Sequence, residues 1–554
     1  MSATHPLAID VFCCLISGAI VFAQTNTPEK GIPVTDPLVI AKCASCHPRD
    51  AQGNMQRISW ERSTPEGWQE ALKRMILEKG VSLTPLEARS IVKYLSTDHG
   101  LAPEEAKAVI YEPERRIHQE TNIPSDALQH ACARCHTFAR ALSWRRSADD
   151  WRQLAEWHST RYKLPANDQA VAFLAKTAPL HTPEWDAWSA ADHTPNLAGR
   201  WLVIASLAGH GKFYGEMKVD PTNEDEFTTS VHLTSIRDGS TIVRTGRSVV
   251  YGANAWRGRS KGLEADSAAT EGPAPDDPGN VAREVLWIAP DQLSAEGRWF
   301  WGQYQEFGFD VKLRRPTADP TLLMVDRASL QAGSQDNRIR LIGDRLPTHV
   351  TPADLDFGPG ITVRRIVSSK PSELVAELDV ASGAPLGKRD VALHNSILRG
   401  AIAIYDRIDY IKVAPDSAMA AFSDPMHTRG YQQYEAIGYN RGPDGRAHTA
   451  DDIELGPLDS NNVTWSLEVF YTKSGSKADF VGTISPSGFF TPAANNPKAN
   501  FDVWVVATAK TLTAPNGRPL VGKSYMVVTV PAYTLNGRQY VRDLDYWVDN
   551  GPAQ

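Results

Sequence analysis

The pentapeptide Cys-x-x-Cys-His occurs twice in this 554-residue chain, at residues 43–47 (CASCH) and 132–136 (CARCH). This spacing is the signature of covalent c-type heme attachment, in which two thiols add to the two vinyl groups at one porphyrin edge. The histidine that follows then lies under the ring and binds the iron. We therefore expect two covalently bound hemes c. The predicted attachment residues are Cys43, Cys46, Cys132 and Cys135, and the predicted iron ligands are His47 and His136.

Two other chemistries also use closely spaced cysteines. A structural zinc site needs a closed set of four ligands, and a thioredoxin-like redox pair has no need of the histidine. Both motifs here carry the histidine, neither follows a strand pattern, and together they use every cysteine beyond residue 23. Heme attachment is the interpretation that uses all of these features.

Residues 11–23 (VFCCLISGAIVFA) form an apolar run that is too short to span a bilayer. Its length and the small residues before Gln24 are typical of a signal peptide. We expect residues 1–23 to be removed and the remaining chain to be periplasmic, with no membrane span. No Lys or Arg precedes the run, which puts the start codon in question. A buried hairpin or helix of the mature protein is the alternative.

Each motif heads a similar segment, so residues 24–195 are predicted to be a helical diheme cytochrome c domain with two repeats, about 36–110 and 125–180. Residues 58–63 (ISWERS) match residues 142–147 (LSWRRS), and each is followed by an amphipathic helix with an early tryptophan, Trp68 or Trp151. Each repeat ends in another amphipathic helix. This is the plan of a small c-type cytochrome used twice.

The repeat also predicts the sixth iron ligands. Met75 lies seven residues beyond Trp68, and His158 lies seven beyond Trp151, on the apolar face of each helix. We predict His47/Met75 for the first iron and His136/His158 for the second. Either residue could instead fill the core. The competing ligands are Met55 for the first iron, and His99, His118 or His130 for either.

Two six-coordinate irons would have no open position for a substrate, so this domain is predicted to transfer electrons only. Thioether ligation favours ferrous iron relative to imidazole ligation, and the two irons should therefore differ in potential.

From residue 196 onward the pattern changes to short strands and turns. We predict a β-barrel-like domain at 196–316 and two immunoglobulin-like β-sandwiches, at 317–415 and 416–554. The fold class is therefore multidomain, α plus all-β. Residues 298–313 are expected to continue the strand pattern with aromatic residues that fill the barrel core, and residues 261–281 are expected to be an exposed loop.

The remaining motifs are few. Residues 444–452 form an acidic segment that suits either a solvated turn or a calcium loop. A net charge of −7 shows no basic footprint for nucleic acid, and 42% hydrophobic with 22% charged residues excludes a disordered or polytopic membrane chain. No phosphate-binding loop, nucleophile elbow or metalloprotease helix occurs, so residues 196–554 offer no constellation for bond chemistry.

The signal segment, the double Cys-x-x-Cys-His domain and three β-domains together resemble the alpha subunit of quinohemoprotein amine dehydrogenase. The resemblance covers the whole chain and includes the stretches RIRLIGDRLP and GPGITVRRIV. It implies a periplasmic heterotrimer that oxidises primary amines to aldehyde and ammonia. The quinone cofactor, cysteine tryptophylquinone, would lie in a small gamma subunit, and a beta-propeller subunit would complete the complex. The alpha chain would pass electrons to a soluble cytochrome c or a blue-copper protein.

Two other functions fit parts of this pattern. A diheme cytochrome c peroxidase also carries two attachment motifs, but it needs an iron that opens to peroxide and has no use for the long β region. A non-catalytic secreted diheme cytochrome with binding β-domains is the second alternative. Turnover of peroxide would distinguish the first alternative, and co-purification of the partner subunits would distinguish the second.

Overall fold

The computed structural model describes residues 29–114, 120, 123–133, 136–163, 167–263, 274–425, 427–471, 477–494, 497 and 499–530. The predicted signal peptide, Cys135 and the alternative ligand His118 lie outside these residues.

The amino-terminal region is mostly helical. Many of its helices begin with a capping Ser, Thr or Asp, and several have proline at the first position, where no backbone N–H is needed. The helices are α1 (Pro37–Cys43), α2 (Pro65–Lys79), α3 (Pro85–Asp98), α4 (Pro103–Lys107), α5 (Asp126–Cys132), α6 (Phe138–Leu142), α7 (Ala148–Tyr162), α8 (Asp168–Thr177) and α9 (Pro183–Ser189). Two short strands lie among them, β1 (Glu61–Ser63) and β2 (Trp144–Arg146).

Strands β1 and β2 pair with each other and so join the two sequence repeats. The pairing is antiparallel, with Glu61 opposite Arg146 and Arg62 opposite Arg145. Residues 61 and 62 correspond to 145 and 146 in the repeat, so the two pairs are related by an approximate twofold axis. The repeats therefore meet back to back at this two-stranded sheet.

Residues 199–314 form a closed eight-stranded antiparallel barrel, which confirms the predicted barrel. Its strands are β3 (Gly199–Leu207), β4 (Gly211–Pro221), β5 (Glu226–Ser235), β6 (Thr241–Tyr251), β7 (Ala255–Gly262), β8 (Ala282–Ile288), β9 (Ser294–Trp301) and β10 (Phe307–Arg314). Alternate residues point inward, as the period of two requires. The interior is filled with aliphatic and aromatic side chains, among them Trp299 and Phe309, as expected of core residues.

The structure corrects two details of the barrel prediction. Residues 298–313 are not one strand segment, because a turn at 302–306 separates β9 from β10. Gly302 adopts a φ of +103°, and a Cβ there would lie 2.4 Å from the Glu306 carboxylate, so this turn requires glycine.

The second correction concerns residues 275–280, which are half-buried against the barrel rather than exposed. Arg244 donates to the Asn280 carbonyl at 2.8 Å, and the Trp301 indole donates to the Pro275 carbonyl at 2.9 Å. Residues 264–273 of the predicted loop lie outside the described residues.

The third region contains two four-stranded sheets that enclose one apolar core. Its strands are β11 (Thr321–Val325), β12 (Ser329–Gln331), β13 (Asn337–Asp344), β14 (Leu355–Asp356), β15 (Ile361–Lys370), β16 (Glu373–Val380), β17 (Gly387–Leu393) and β18 (Ser396–Tyr405). The sheet orders are β11-β13-β16-β15 and β12-β18-β17-β14.

The fourth region has one four-stranded and two three-stranded sheets, again around a shared core. Its strands are β19 (Tyr410–Ala414), β20 (Ser417–Ala421), β21 (Gln432–Gln433), β22 (Glu435–Asn440), β23 (Ile453–Pro457), β24 (Val463–Val469), β25 (Gly482–Ile484), β26 (Phe489–Pro492), β27 (Phe501–Thr513) and β28 (Pro519–Thr529). The chain is thus mostly β with an amino-terminal helical region. The immunoglobulin-like character of the last two regions stays a prediction.

The helical region is packed firmly against the barrel. Val249 and Tyr251 of β6 belong to the same apolar core as Trp68 of α2 and Ile91 of α3. The Trp287 indole donates to the Pro103 carbonyl at 2.7 Å. The first repeat is therefore positioned by the barrel as well as by its own helices.

Candidate heme-binding sites

The first motif begins at the last residue of α1. Asp36 caps this helix by accepting from the Val39 N–H at 2.8 Å, and the helix ends at Cys43. The backbone N–H of His47 donates to the Cys43 carbonyl at 2.9 Å, and that of Cys46 does so at 3.2 Å. Two thiols and one imidazole therefore leave the chain from a single tight turn, as attachment of one porphyrin requires.

The second motif has the same local plan. Ser125 caps α5 by accepting from the Leu128 N–H at 3.3 Å, and Cys132 is the last residue of that helix, as Cys43 is of α1. His136 is described, whereas Cys135 is not. Both motifs thus place their first cysteine at a helix carboxyl terminus.

Both motif histidines are oriented through the same ring nitrogen. His47 Nδ1 lies 2.9 Å from the Gln56 carbonyl oxygen, and His136 Nδ1 lies 2.9 Å from that of Thr137. Because a carbonyl only accepts, Nδ1 carries the proton, and the lone pair of the neutral ring is on Nε2. Iron-binding histidines are held in this way, with the second nitrogen donating to a carbonyl.

The described motif thiols, Cys43, Cys46 and Cys132, are not joined in disulfides. Burial raises the pKa of Cys43, and the neighbouring Cys46 adds to the shift, while burial also raises the pKa of Cys132. Thiols that are not paired in disulfides are required for addition to a vinyl group.

The helices α2 and α7 are equivalent in the structure. Each has 15 residues, and each is capped by a hydroxyl, with Thr64 accepting from Gly67 N–H and Ser147 from Asp150 N–H. Met75 and His158 are each the eleventh residue of their helix. The structure therefore places the two predicted sixth ligands at matching positions.

An indole hydrogen bond fixes the rotation of each of these helices. Trp68 Nε1 donates to the His99 carbonyl, and Trp151 Nε1 donates to the Ala178 carbonyl, both at 2.9 Å. These carbonyls belong to the residues that end α3 and α8, the helices that follow α2 and α7 in the chain. Seven residues is close to two helical turns, so Met75 and His158 lie on the face set by the tryptophans.

Met75 and His158 are both half-buried. His158 Nδ1 lies 2.8 Å from the Leu154 carbonyl oxygen, which places the lone pair of the neutral ring on Nε2, as in the motif histidines. The Trp157 and Tyr162 rings lie 5.3 and 5.7 Å from the His158 ring centroid. Aromatic neighbours and a fixed tautomer are both features expected of an iron-binding histidine.

The competing ligands have other environments. Met55 is fully buried in the apolar core of the first repeat, beside Trp68. His130 has the same ring contact as His158, with its Nδ1 2.6 Å from the Asp126 carbonyl oxygen, but it is exposed where His158 is half-buried. His99 is fully buried, and within the described residues neither of its ring nitrogens has a hydrogen-bond partner. Burial lowers the pKa of His99 to about 4, so its ring is neutral.

A buried charge cluster beside β1 and β2 was not predicted from the sequence. Arg62 donates to both oxygens of Glu105, at 2.7 and 3.0 Å, and Arg145 donates to the same carboxylate at 3.1 Å. The arginines keep the pKa of Glu105 below its usual value in spite of burial. The arginines of the SWERS and SWRRS segments were a signal for this cluster, because buried arginines need carboxylate partners.

A second cluster lies on the other side of the approximate twofold axis. Arg146 contacts both Glu61 and Asp150, and Arg57 adds a further positive charge at 3.2 Å from Glu61 and 3.4 Å from Asp150. Burial, followed by the negative charge of Glu61, raises the pKa of Asp150 to about 6, whereas Arg146 and Arg57 outweigh burial and lower the pKa of Glu61. The two repeats therefore meet across buried ionisable groups.

The acidic segment 444–452 forms a turn that is held by hydrogen bonds among its own residues. Asp451 accepts from the Asp444 N–H at 3.0 Å and from the Thr449 hydroxyl at 2.8 Å, and Asp452 accepts from the His448 N–H at 2.7 Å. Across the described ranges, no group of three or more His, Cys, Asp or Glu could hold a metal ion. The carboxylates therefore act as hydrogen-bond acceptors for the loop backbone.

Among the helices that the structure describes, none is long and apolar enough to cross a membrane.

Four protein-family models match nearly the whole chain. The first is described as "Quinohemoprotein amine dehydrogenase A, alpha subunit, haem binding" and matches residues 34–179. The other three are domains II, III and IV of the same alpha subunit, at residues 194–316, 319–406 and 411–537. These matches define an alpha-subunit chain of an amine-oxidising oxidoreductase whose amino-terminal region is a heme-binding domain. The chain belongs to the quinohemoprotein amine dehydrogenase alpha-subunit family.

A comparison with curated proteins finds no match. Among solved structures, a redesigned β-barrel is 14% identical and aligns with 22% of this chain and 92% of its own, at a TM-score of 0.17. Human protocadherin-24 EC1-2 is 14% identical over 39% of this chain and 99% of its own, and Drosophila N-cadherin EC1-4 is 10% identical over 61% and 93%, both at a TM-score of 0.15. Scores this low establish no shared fold.

Proposed function

We propose that this alpha subunit carries two hemes c and transfers electrons between its partners. The hemes would be attached through Cys43 and Cys46 and through Cys132 and Cys135. His47 and Met75 would hold the first iron, and His136 and His158 the second. When bound, heme supplies an iron that alternates between the ferric and ferrous states.

The equivalence of the two repeats is the observation that carries this assignment. Helices α2 and α7 share four features: a capping hydroxyl, a length of 15 residues, a tryptophan hydrogen bond and the position of the predicted ligand. Coincidence of all four features favours a shared task for Met75 and His158 over two unrelated packing roles. The Nδ1 contacts of His47, His136 and His158 support it independently, because each presents Nε2 as the metal-binding nitrogen.

The chain's own residues would then hold the irons and exclude substrate from them. Held by a motif histidine together with Met75 or His158, each iron would be saturated and closed to amine or peroxide. Amine oxidation is therefore assigned to a partner. Every cysteine beyond residue 23 lies in an attachment motif, so this chain has none left to build a cysteine-linked quinone.

We infer that the partners are a small gamma subunit with cysteine tryptophylquinone and a beta-propeller subunit. The electron acceptor would be a soluble cytochrome c or a blue-copper protein. Residues 1–23 would direct export to the periplasm. The alpha-subunit family supports a complex of several subunits, and the apolar run at residues 11–23 supports export.

Purification from a host that matures c-type cytochromes tests the proposal. The alkaline pyridine spectrum should give two covalently bound hemes per chain. The complete complex should then show heme reduction when a primary amine is added, while the isolated alpha chain should show none. A chain without covalent heme, or an alpha chain that oxidises amines alone, would overturn the assignment. Turnover of peroxide would instead indicate a peroxidase.

A further inference from the structure

The interior of the barrel contains a polar band within its apolar core. Thr229 of β5, Ser248 of β6, Glu284 of β8 and Trp299 of β9 are 5, 6, 2 and 0% exposed. Each has a buried side-chain polar atom without a hydrogen-bond partner among the described residues: Thr229 Oγ1, Ser248 Oγ, Glu284 Oε1 and Trp299 Nε1. Buried polar atoms are nearly always paired with protein or with ordered water, so four in one barrel need an explanation.

The register places the acceptor and donor atoms on facing residues. Glu284 lies directly opposite Trp299 in the β8–β9 pair, so their Cβ atoms are close neighbours on the inner face. Glu284 Oε1 can accept a hydrogen bond, and Trp299 Nε1–H can only donate one. One water molecule could donate to the first and accept from the second.

Glycines bring the hydroxyl groups into the same band. Gly258 lies between Ser248 and Glu284 in the register, and a Cβ there would be 3.0 Å from Ser248 Cβ and 2.8 Å from Glu284 Oε2. At Gly246 a Cβ would lie 2.7 Å from Thr229 Oγ1. Because Gly258 lacks a side chain, Ser248 and Glu284 face each other across it. The Thr229 hydroxyl lies beside the open position at Gly246, next along the same band.

The neighbouring charges indicate a small neutral occupant. The second oxygen of Glu284 already accepts from Trp256 Nε1 at 2.9 Å. The buried Arg244 guanidinium uses its donors on Ser260, Asn280 and Pro278. A single carboxylate is a poor site for a multivalent cation, and burial raises the pKa of this one. Because the donors of Arg244 are already used, Arg244 is not available to bind an anion. Water can both donate and accept, as this set of atoms requires.

We propose that the barrel encloses a site for internal water, hydrogen-bonded by Glu284 Oε1, Trp299 Nε1 and the hydroxyls of Ser248 and Thr229. Internal waters typically make about three hydrogen bonds to buried groups that otherwise lack partners, which matches this set. The site lies in the barrel and does not depend on the heme assignment.

A crystal structure of the heme-loaded full chain at about 1.5 Å resolution tests the proposal. Ordered water should lie about 2.7–3.2 Å from Glu284 Oε1 and from at least one other atom of the set. Direct bonds between these side chains, a dry band, or a cation with oxygen ligands at this position would each overturn it.

Substitutions give a second measurement in solution. Thr229→Val keeps the shape of the side chain but removes its hydroxyl, and Ser248→Ala removes the other. Each should lower the number of long-lived internal waters counted by ¹⁷O magnetic relaxation dispersion by about one. Thr228→Val, on the outer face of the same strand, is the matched control and should leave the count unchanged. Equal counts in all variants would contradict the proposal.

Discussion

Arg62 and Arg145 lie opposite each other in the two-stranded sheet between the repeats and share one carboxylate, that of Glu105. Glu105 also accepts from the Ala102 N–H and from the Thr182 hydroxyl, both at 2.9 Å. One buried side chain thus joins β1 and β2 to α4 and to the residue that caps α9. On this side of the interface between the repeats, Glu105 is the carboxylate that both arginines share.

Replacing Glu105 with Ala should therefore destabilise the helical region severely. Arg62 is fully buried, and without Glu105 both arginines would be left without their carboxylate. Breaking a buried ion pair from one side typically costs about 3–5 kcal/mol. Urea unfolding of the heme-loaded chain, followed by heme absorbance, measures the change. The adjacent exposed Glu104 is the control, and Glu104→Ala should shift the free energy of unfolding by less than about 0.5 kcal/mol.

Substitution of the predicted sixth ligands should affect one heme at a time. Met75→Ala should change the low-spin spectrum of the first heme only, and His158→Ala that of the second only. Met75→His should lower the potential of the first heme, because imidazole stabilises ferric iron more than a thioether does. Absorption spectra and redox titration measure these outcomes.

Met55→Leu is the control that separates ligand from core. Met55 is fully buried, and exchange of Met for Leu conserves volume, so the expected stability loss is below about 1.5 kcal/mol. Its spectrum and potentials should match the wild type. Loss of a low-spin signal in Met55→Leu, with none in Met75→Ala, would identify Met55 as the iron ligand.

Local patterns explain why much of this structure could be predicted from the sequence. The strands of the barrel follow alternation with a period of two, as in Phe227–Leu233, and α2 begins where Thr64 and Pro65 allow. The equivalence of Trp68 and Trp151 could be predicted from the spacing within each repeat alone. Their shared hydrogen-bond geometry shows that the repeat holds in three dimensions as well.

Contacts between distant segments could not be predicted in this way. Glu105 meets Arg62 across 43 positions, and Arg257 meets Glu66 across 191. Composition and periodicity describe the neighbours of a residue along the chain, whereas these pairs depend on how whole domains pack. The turn at 302–306 was missed for a related reason, since its aromatic neighbours continue the strand pattern on both sides.

The pKa of Asp150 gives a pH dependence with a definite sign. Its folded-state pKa is raised from 3.8 to about 6, so its contribution to stability is fully present below 3.8 and is lost as pH rises through 6. Stability of the wild-type helical region should therefore fall across this interval on account of Asp150. In Asp150→Asn this fall should be absent. Thermal melts from pH 4 to 7 measure it.

Asp149 is the matched control for this measurement. It is the preceding residue, its side chain is 79% exposed, and it pairs only with the exposed Arg152 among the ion pairs of the described chain. Asp149→Asn should keep the wild-type dependence on pH. Identical profiles for Asp150→Asn and the wild type would show that Asp150 ionises normally.

The buried ion pair between Glu66 and Arg257 should couple unfolding of the helical region to that of the barrel. Arg257 donates to Glu66 at 3.1 Å, and both residues are buried. Arg257→Met would leave the carboxylate without its hydrogen-bonded partner, at a cost of about 3–5 kcal/mol. Heme absorbance follows the helical region, and the amide I infrared band of β-sheet follows the β-domains. The two signals should then give separate thermal midpoints where the wild type gives one. The Lys93–Asp225 pair joins the same two regions, but Lys93 is 43% exposed, so Lys93→Ala should cost at most about 1 kcal/mol and keep the midpoints together. Equal effects of the two substitutions would mean that burial does not decide the strength of this contact.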